Sequence, residues 1–177
     1  MNFQETSLAG AYLISTDKHS DKRGSFSRLF CAKEFTEAGL PDIFVQINLS
    51  HNLKRATVRG MHYQLPPRSE GKLISCIKGH VYDVIVDIRP DSPTRNQYFS
   101  CELDAQDNRL LYVPEGFAHG FQTLEDNSTL LYGMTEFYEP GKDGGLRWDD
   151  PRIGVNWPLK TNLTISDKDA NWPLINS

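Results

Sequence analysis

The feature that most constrains this chain is its rhythm. Short runs rich in β-branched and aromatic residues recur along it, each closed within a few residues by glycine, proline, asparagine or aspartate. They fall at 11–15, 25–30, 43–50, 57–64, 72–77, 80–88, 98–103, 110–113, 120–124 and 129–138. Many short strands with turn residues between them pack as a sandwich, jelly roll or small barrel. One helix is expected at 33–40, stopped by Pro41. Lys78-Gly79, between two strand-like runs, reads as a hairpin turn. From Pro151 onward the chain is loop-like and is expected to wrap the barrel. The expectation is an all-β fold with few helices, in a single domain over residues 1–177.

Charge and cysteine content narrow the function. With 19 basic and 23 acidic residues the net charge is -4, which excludes a generic basic nucleic-acid binder but not a local cationic site for a small anion. Cys31, Cys76 and Cys101 form no CxxC pair and no disulfide framework, so a reducing cytoplasm is expected. No secretory signal is read at the N-terminus, and no apolar run approaches the roughly 20 residues of a membrane span.

Alternation adds a finer constraint. Val45, Ile47 and Leu49 share one strand face, and Gln46, Asn48 and Ser50 the other. Two readings stand: a half-buried strand with its polar face in water, or a barrel wall whose polar interior holds a ligand. In 80–89, Tyr82, Val84, Val86 and Ile88 form an apolar face; Asp83, Asp87 and Arg89 opposite them read as a solvated edge or an ion-pair ladder.

Histidine is the side chain best suited to proton transfer near neutral pH. His19, His51 and His80 lie in or beside turns and read as exposed. His62 and His119 lie in strand contexts beside glycine and read equally as core histidines or as functional groups. No His-x-His occurs, so a metal-dependent barrel oxygenase is not expected. No Gly-x-Ser-x-Gly, GxxxxGK or GxGxxG appears either. Acid–base chemistry without a cofactor, or binding alone, is what remains.

Several segments then carry a resemblance. They are Asp21-Lys22-Arg23-Gly24, Gln46-Ile47-Asn48-Leu49-Ser50, Val58-Arg59-Gly60-Met61-His62-Tyr63-Gln64, Gly71-Lys72-Leu73, Asp83 to Arg89, Ser92-Pro93-Thr94, Val113-Pro114-Glu115-Gly116-Phe117-Ala118-His119-Gly120-Phe121, Leu131-Tyr132, Asn156-Trp157-Pro158 and Ser166-Asp167-Lys168-Asp169. In this order the chain resembles the dTDP-4-dehydrorhamnose 3,5-epimerase family, over residues 21–174. The resemblance implies a cupin jelly-roll barrel, a homodimer, a nucleotide-linked 4-keto sugar as substrate, no metal, no cofactor, and a cytoplasmic role in deoxysugar (dTDP-rhamnose) biosynthesis.

It also implies roles. His62 is the base, Asp169 its partner acid, Lys72 the stabiliser of an enolate with help from His119, and Tyr132 the acid on the opposite face. Arg59 and Arg23 match diphosphate positions, assisted by Lys168. Phe26 and Tyr138 match positions flanking the thymine ring, and Gln46 and Asn48 match polar ligand contacts, some of them from a dimer partner. Each has a plainer reading from the residues alone: a helix cap for Asp169 in Ser166-x-x-Asp169, core packing for Tyr132, a surface pair with Glu70 for Lys72, barrel packing for Phe26 and Tyr138. The chain departs from the family pattern at Ile47, at Ser50-His51-Asn52 and at Arg28, which bears on base or sugar preference. Two alternatives stand beside 3,5-epimerisation: a C3-only epimerase and a non-catalytic sugar-nucleotide-binding cupin.

One geometric expectation follows. Arg59 and His62 are three apart and point to opposite faces of a regular strand. If both serve one site, the strand must be interrupted, and Gly60 is the place for a bulge.

Overall fold

The alternating runs assemble into two facing antiparallel sheets. The computed structural model describes residues 1–175. In chain order the elements are β1 (Asn2–Glu5), β2 (Tyr12–Ser15), β3 (Lys18–Asp21), β4 (Gly24–Ser27), α1 (Ala32–Glu37), β5 (Gln46–Asn52), β6 (Val58–Gln64), β7 (Lys72–Lys78), β8 (His80–Asp87), β9 (Tyr98–Asp104), β10 (Arg109–Val113), β11 (Phe117–Thr123), β12 (Ser128–Met134), β13 (Asp143–Gly145) and α2 (Asp167–Ala170). One sheet has the order β1-β2-β10-β7-β12-β5, the other β13-β6-β11-β8-β9, and β3-β4 is a separate hairpin. This is the jelly-roll cupin barrel expected from the sequence. No helix among the described residues is long and apolar enough to cross a membrane.

Between the sheets lies an apolar core of Leu8, Ala11, Ile74, Cys76, Val81, Ile85, Leu103, Leu111, Val113, Phe117, Phe121 and Leu130. A second core lies outside the smaller sheet. There Val58, Met61, Val84, Val86 and Ala118 are covered by Leu146, Ile153 and Trp157 of the C-terminal segment. The segment after Pro151 therefore wraps the barrel, and β8 is buried on both faces.

That burial corrects the reading of β8 as a solvated edge. Asp83 and Asp87 are both fully buried. Asp87 accepts from Arg89 Nη2 at 2.7 Å, Ser92 Oγ at 2.5 Å and Thr94 Oγ1 at 2.7 Å. Lys78-Gly79 is also corrected. β7 and β8 belong to different sheets, so this link crosses the barrel instead of closing a hairpin. Gly79 makes the crossing at φ +75, and a Cβ there would lie 2.5 Å from Ser128 Oγ. Three strands were not read from the sequence. β3 (KHSD) and β13 (DGG) lack strand-forming residues, and β13 exists because Asp143, Gly144 and Gly145 pair with Gln64, Tyr63 and His62; β1 joins the edge of the larger sheet through β2.

β5 forms an edge of the six-stranded sheet. Its polar residues face the barrel interior, where Asn48 pairs with Tyr132 and Gln46 with Met134. Its apolar residues face out, with Ile47 63% and Leu49 65% exposed. The polar face of β5 thus belongs to the barrel wall and its apolar face is turned outward.

Burial alone would raise the Asp87 carboxyl, but Arg89, Ser92 and Thr94 hold it down to about 2 from an ordinary 3.8. A carboxyl lowered in the folded state adds stability that is complete above pH 3.8 and lost as pH falls through about 2. Urea unfolding followed from about pH 5 to about pH 2 should therefore show about 2 kcal/mol of loss through Asp87. Asp87→Asn should lack that part of the slope.

Candidate active site

The site begins with a register break. On β11, His119 and Phe121 are two apart and point to the same inner face; His119 pairs with His62, but Phe121 pairs with Arg59. Two residues of β6, Gly60 and Met61, thus oppose the single Gly120, which is a bulge. Cross-strand partners share a face, so Arg59 and His62 both reach the interior, as expected if both serve one site. Glycine is needed on both sides. Gly60 has φ +117, and a Cβ on it would lie 2.6 Å from Gly120 Cα; one on Gly120 would lie 2.7 Å from Arg59 O. The Gly60-Met61 peptide bond is cis.

His62 Nε2 lies 2.6 Å from Asp169 Oδ1, while Asp169 Oδ2 accepts from the Gly60 amide at 3.1 Å. Asp169 is buried and His62 is 46% exposed at the side chain. Burial pushes the Asp169 carboxyl up, but the hydrogen bond and charge of His62 and the Gly60 amide outweigh it and hold it below its ordinary range. An ionised Asp169 accepts from Nε2–H, which leaves Nδ1 of a neutral His62 as the free lone pair. The helix-cap reading of Ser166-x-x-Asp169 holds as well: Ser166 Oγ accepts from the Asp169 amide at 3.1 Å. The cap fixes the backbone of Asp169 while its side chain is aimed at His62.

Lys72 is no surface residue. Its Nζ lies 2.6 Å from Glu70 Oε1, with both side chains less than a tenth exposed, and donates to His62 O at 3.3 Å. An ammonium has three donors, so one remains. His119 Nε2 is held by both oxygens of Asp83, at 2.9 and 3.0 Å, leaving Nδ1 for a ligand. Burial raises the Asp83 carboxyl despite His119 and Lys72 nearby. The Tyr132 ring stands edge-on to His119 at 5.9 Å. Its phenol is pushed well above its ordinary value by burial and then by the Asp83 carboxylate, so it stays protonated.

The rim holds the remaining polar candidates. Arg59 Nε donates to Asn52 Oδ1 at 2.7 Å, Gln46 Oε1 accepts from the Tyr138 amide at 2.6 Å, and Lys168 Nζ meets Asp143 Oδ2 at 2.5 Å. Tyr138 is 59% exposed, so it is not barrel packing. Arg23 and Phe26 are not brought to this cluster within one chain. They project from the β3–β4 hairpin, where Arg23 pairs with Asp21 and Phe26 is 71% exposed. The hairpin is tied to Gln106 and Asn108, beyond the end of β10 opposite Val113, the residue that pairs with Lys72. Arg28 pairs with Glu34 there. Ile47 faces outward, and Asn52 anchors Arg59.

Residues 5–177 match the family described as dTDP-4-dehydrorhamnose 3,5-epimerase. The enzyme of that name from Sinorhizobium fredii is 43% identical over 98% of this chain and 89% of its own length. The chain belongs to the dTDP-4-dehydrorhamnose 3,5-epimerase family. Two solved members share its structure. That from Bacillus anthracis, with TDP and PPi bound, has a TM-score of 0.95 at 38% identity, covering 98% of this chain and 99% of that one. That from Legionella pneumophila, in complex with dTDP-4-keto-L-rhamnose, has a TM-score of 0.93 at 36% identity, covering 98% and 92%. As a member of this epimerase family the chain is an isomerase.

Two neighbours of this cluster were missed in the sequence, Asp83 and Asn52, while Glu70 was read as a surface partner of Lys72 and is a buried one. Asp83 carried a signal. It interrupts a run apolar on both faces, and an acid in a doubly buried strand needs a partner. Asn52 carried none, since its partner Arg59 is set by the fold. The paired glycines yield a prediction. Gly60→Ala should cost at least about 2 kcal/mol, a fall in Tm of about 4–8 °C, because it adds strain at positive φ and overlap with Gly120. A thermal scan checks this.

Proposed function

We propose that this chain inverts C3 and C5 of a dTDP-linked 4-keto-6-deoxyhexose, as a single domain over residues 1–177. The observation that carries the reading is the His62–Asp169 pair, on the strand register that sets His62 opposite His119 and beside Lys72 and Tyr132. The C4 carbonyl acidifies the hydrogens on C3 and C5. His62 Nδ1 takes one of them. The C–H electron pair becomes the enolate double bond, and negative charge moves to the C4 oxygen. The remaining donor of Lys72 stabilises that charge, and His119 adds a hydrogen bond from Nδ1 when its ring carries both protons. Tyr132 then gives its phenolic proton to the opposite face of the carbon, inverting it. Imidazolium and phenolate exchange their protons with water, and the cycle repeats at the second carbon. Asp169 holds the tautomer and stabilises the imidazolium without taking the proton.

Arg59, with Lys168 at the rim, would hold the diphosphate, and Tyr138 would stack on the thymine. Gln46 and Asn48 line the interior wall between them. We infer a homodimer formed over the outward face of β5, where Ile43, Val45, Ile47 and Leu49 are all exposed. A patch of this kind on an edge strand fits an isologous contact. In that assembly a partner's β3–β4 hairpin supplies Arg23 and Phe26. The free cysteines fit a reducing cytoplasm.

Incubation with dTDP-4-keto-6-deoxyglucose in heavy water, read by NMR, should place deuterium at both C3 and C5. Label at C3 alone would assign the chain to monoepimerases, and no label at either would refute the reading. His62→Asn should lower exchange by about 10²–10⁴-fold, the scale of a lost general base, with dTDP affinity little changed. Leu49→Lys should give a monomer in sedimentation velocity, and a dimer that survives it would refute this interface.

A further inference from the structure

Asn52 ends β5 on the face that carries Gln46 and Asn48, and it is only 2% exposed. Its side-chain amide is held at both ends. Nδ2 donates to Ser50 O at 3.1 Å, to Ser50 Oγ at 3.3 Å and to Ser128 O at 3.3 Å. Carbonyl oxygens only accept, so the amide nitrogen must face them and Oδ1 must face the other way. There Oδ1 accepts from Arg59 Nε at 2.7 Å. The bond joins β5 to β6, strands of different sheets. It is the one side-chain hydrogen bond of Arg59 among the described residues, and no carboxylate among them pairs with this guanidinium. A guanidinium carries five N–H donors in a planar fork. With Nε–H docked on Asn52, the four on Nη1 and Nη2 are left for a ligand.

We propose that Asn52 is a positioning residue for anion binding: by docking Nε it fixes the guanidinium plane of Arg59 and presents both terminal nitrogens to the diphosphate. For its effect on binding this rests on the reading of Arg59 as a diphosphate ligand. The fork matches two phosphoryl oxygens only when its plane is aligned with them. An unanchored arginine must give up its rotamer freedom as the ligand binds, and an anchored one has given it up already. Asn52 itself reaches no ligand atom in this role.

The first readout needs neither ligand nor substitution at Asn52. Solvent exchange of the Arg59 Nε–H, followed by NMR and assigned by its loss in Arg59→Lys, should be at least about tenfold slower than that of the exposed Arg95. The second compares dTDP with thymidine, which lacks the diphosphate. In Asn52→Leu and in Asn52→Ala, dTDP affinity should fall about tenfold, the worth of one hydrogen bond. Thymidine affinity should not change, and KM should rise by more than kcat falls. In an Arg59→Ala background the same substitutions should weaken dTDP binding no further. Equal losses for the two ligands, full additivity with Arg59→Ala, or an Arg59 Nε–H that exchanges as fast as that of Arg95 would each overturn the proposal. An Arg59→Ala chain that binds dTDP as tightly as the wild type removes the diphosphate role of Arg59 and the proposal with it, while deuterium at C3 and C5 would still support epimerisation. A wild type that turns over no substrate, yet shows the dTDP-specific loss, sinks the epimerase reading and leaves Asn52 in its role.

Discussion

The hydrogen bond between His62 and Asp169 joins the middle of a barrel strand to a four-residue helix 107 positions further along the chain. Much of the molecule serves that contact. A buried carboxylate is unfavourable unless donors surround it, and here the donors are the imidazole and the Gly60 amide. The amide is presented because the bulge at Gly60 and Met61 turns the backbone there. The helix is set against β6 by the C-terminal segment, whose Trp157, Ile153 and Leu146 cover the outer face of the smaller sheet. Apolar burial outside the barrel thus fixes a polar contact at its mouth.

The same matching of acid to base runs deeper into the barrel. Asp83 holds His119, and Glu70 holds Lys72. His62, His119 and Lys72 each have a buried carboxylate behind them, which sets their orientation. Toward the other end the interior turns apolar, with Ile74, Ile85, Phe121 and Leu130 closing it. The pocket is therefore a polar cap on an otherwise ordinary hydrophobic core.

How much of this was legible depends on the range of the interaction. Period-two alternation and turn residues are local, so most strands were readable. β13 was not, because Asp-Gly-Gly becomes a strand only by pairing with β6. Lys78-Gly79 has the composition of a tight turn, yet the flanking strands hydrogen-bond to different neighbours, a choice made by the whole barrel. The bulge at Gly60 was legible once the resemblance assigned Arg59 and His62 to one site, since residues three apart share a face only across an interruption. The roles of His62 and Asp169 came from the resemblance; Ser166-x-x-Asp169 by itself is a helix cap, and the structure keeps that cap beside the contact to His62. Arg23 and Phe26 matched family positions by motif, yet within one chain their hairpin stands apart from the His62 cluster, because motif matching carries no information about distance in the fold.

The order of elements has a consequence for how the protein comes into being. Asp169 follows β13, so it leaves the ribosome after every strand of both sheets. A nascent chain already has the arginine and aromatic residues of the rim before the carboxylate behind His62 has been translated. Any product of premature termination just upstream of that aspartate would leave the His62 ring nitrogen and the Gly60 amide without their shared acceptor.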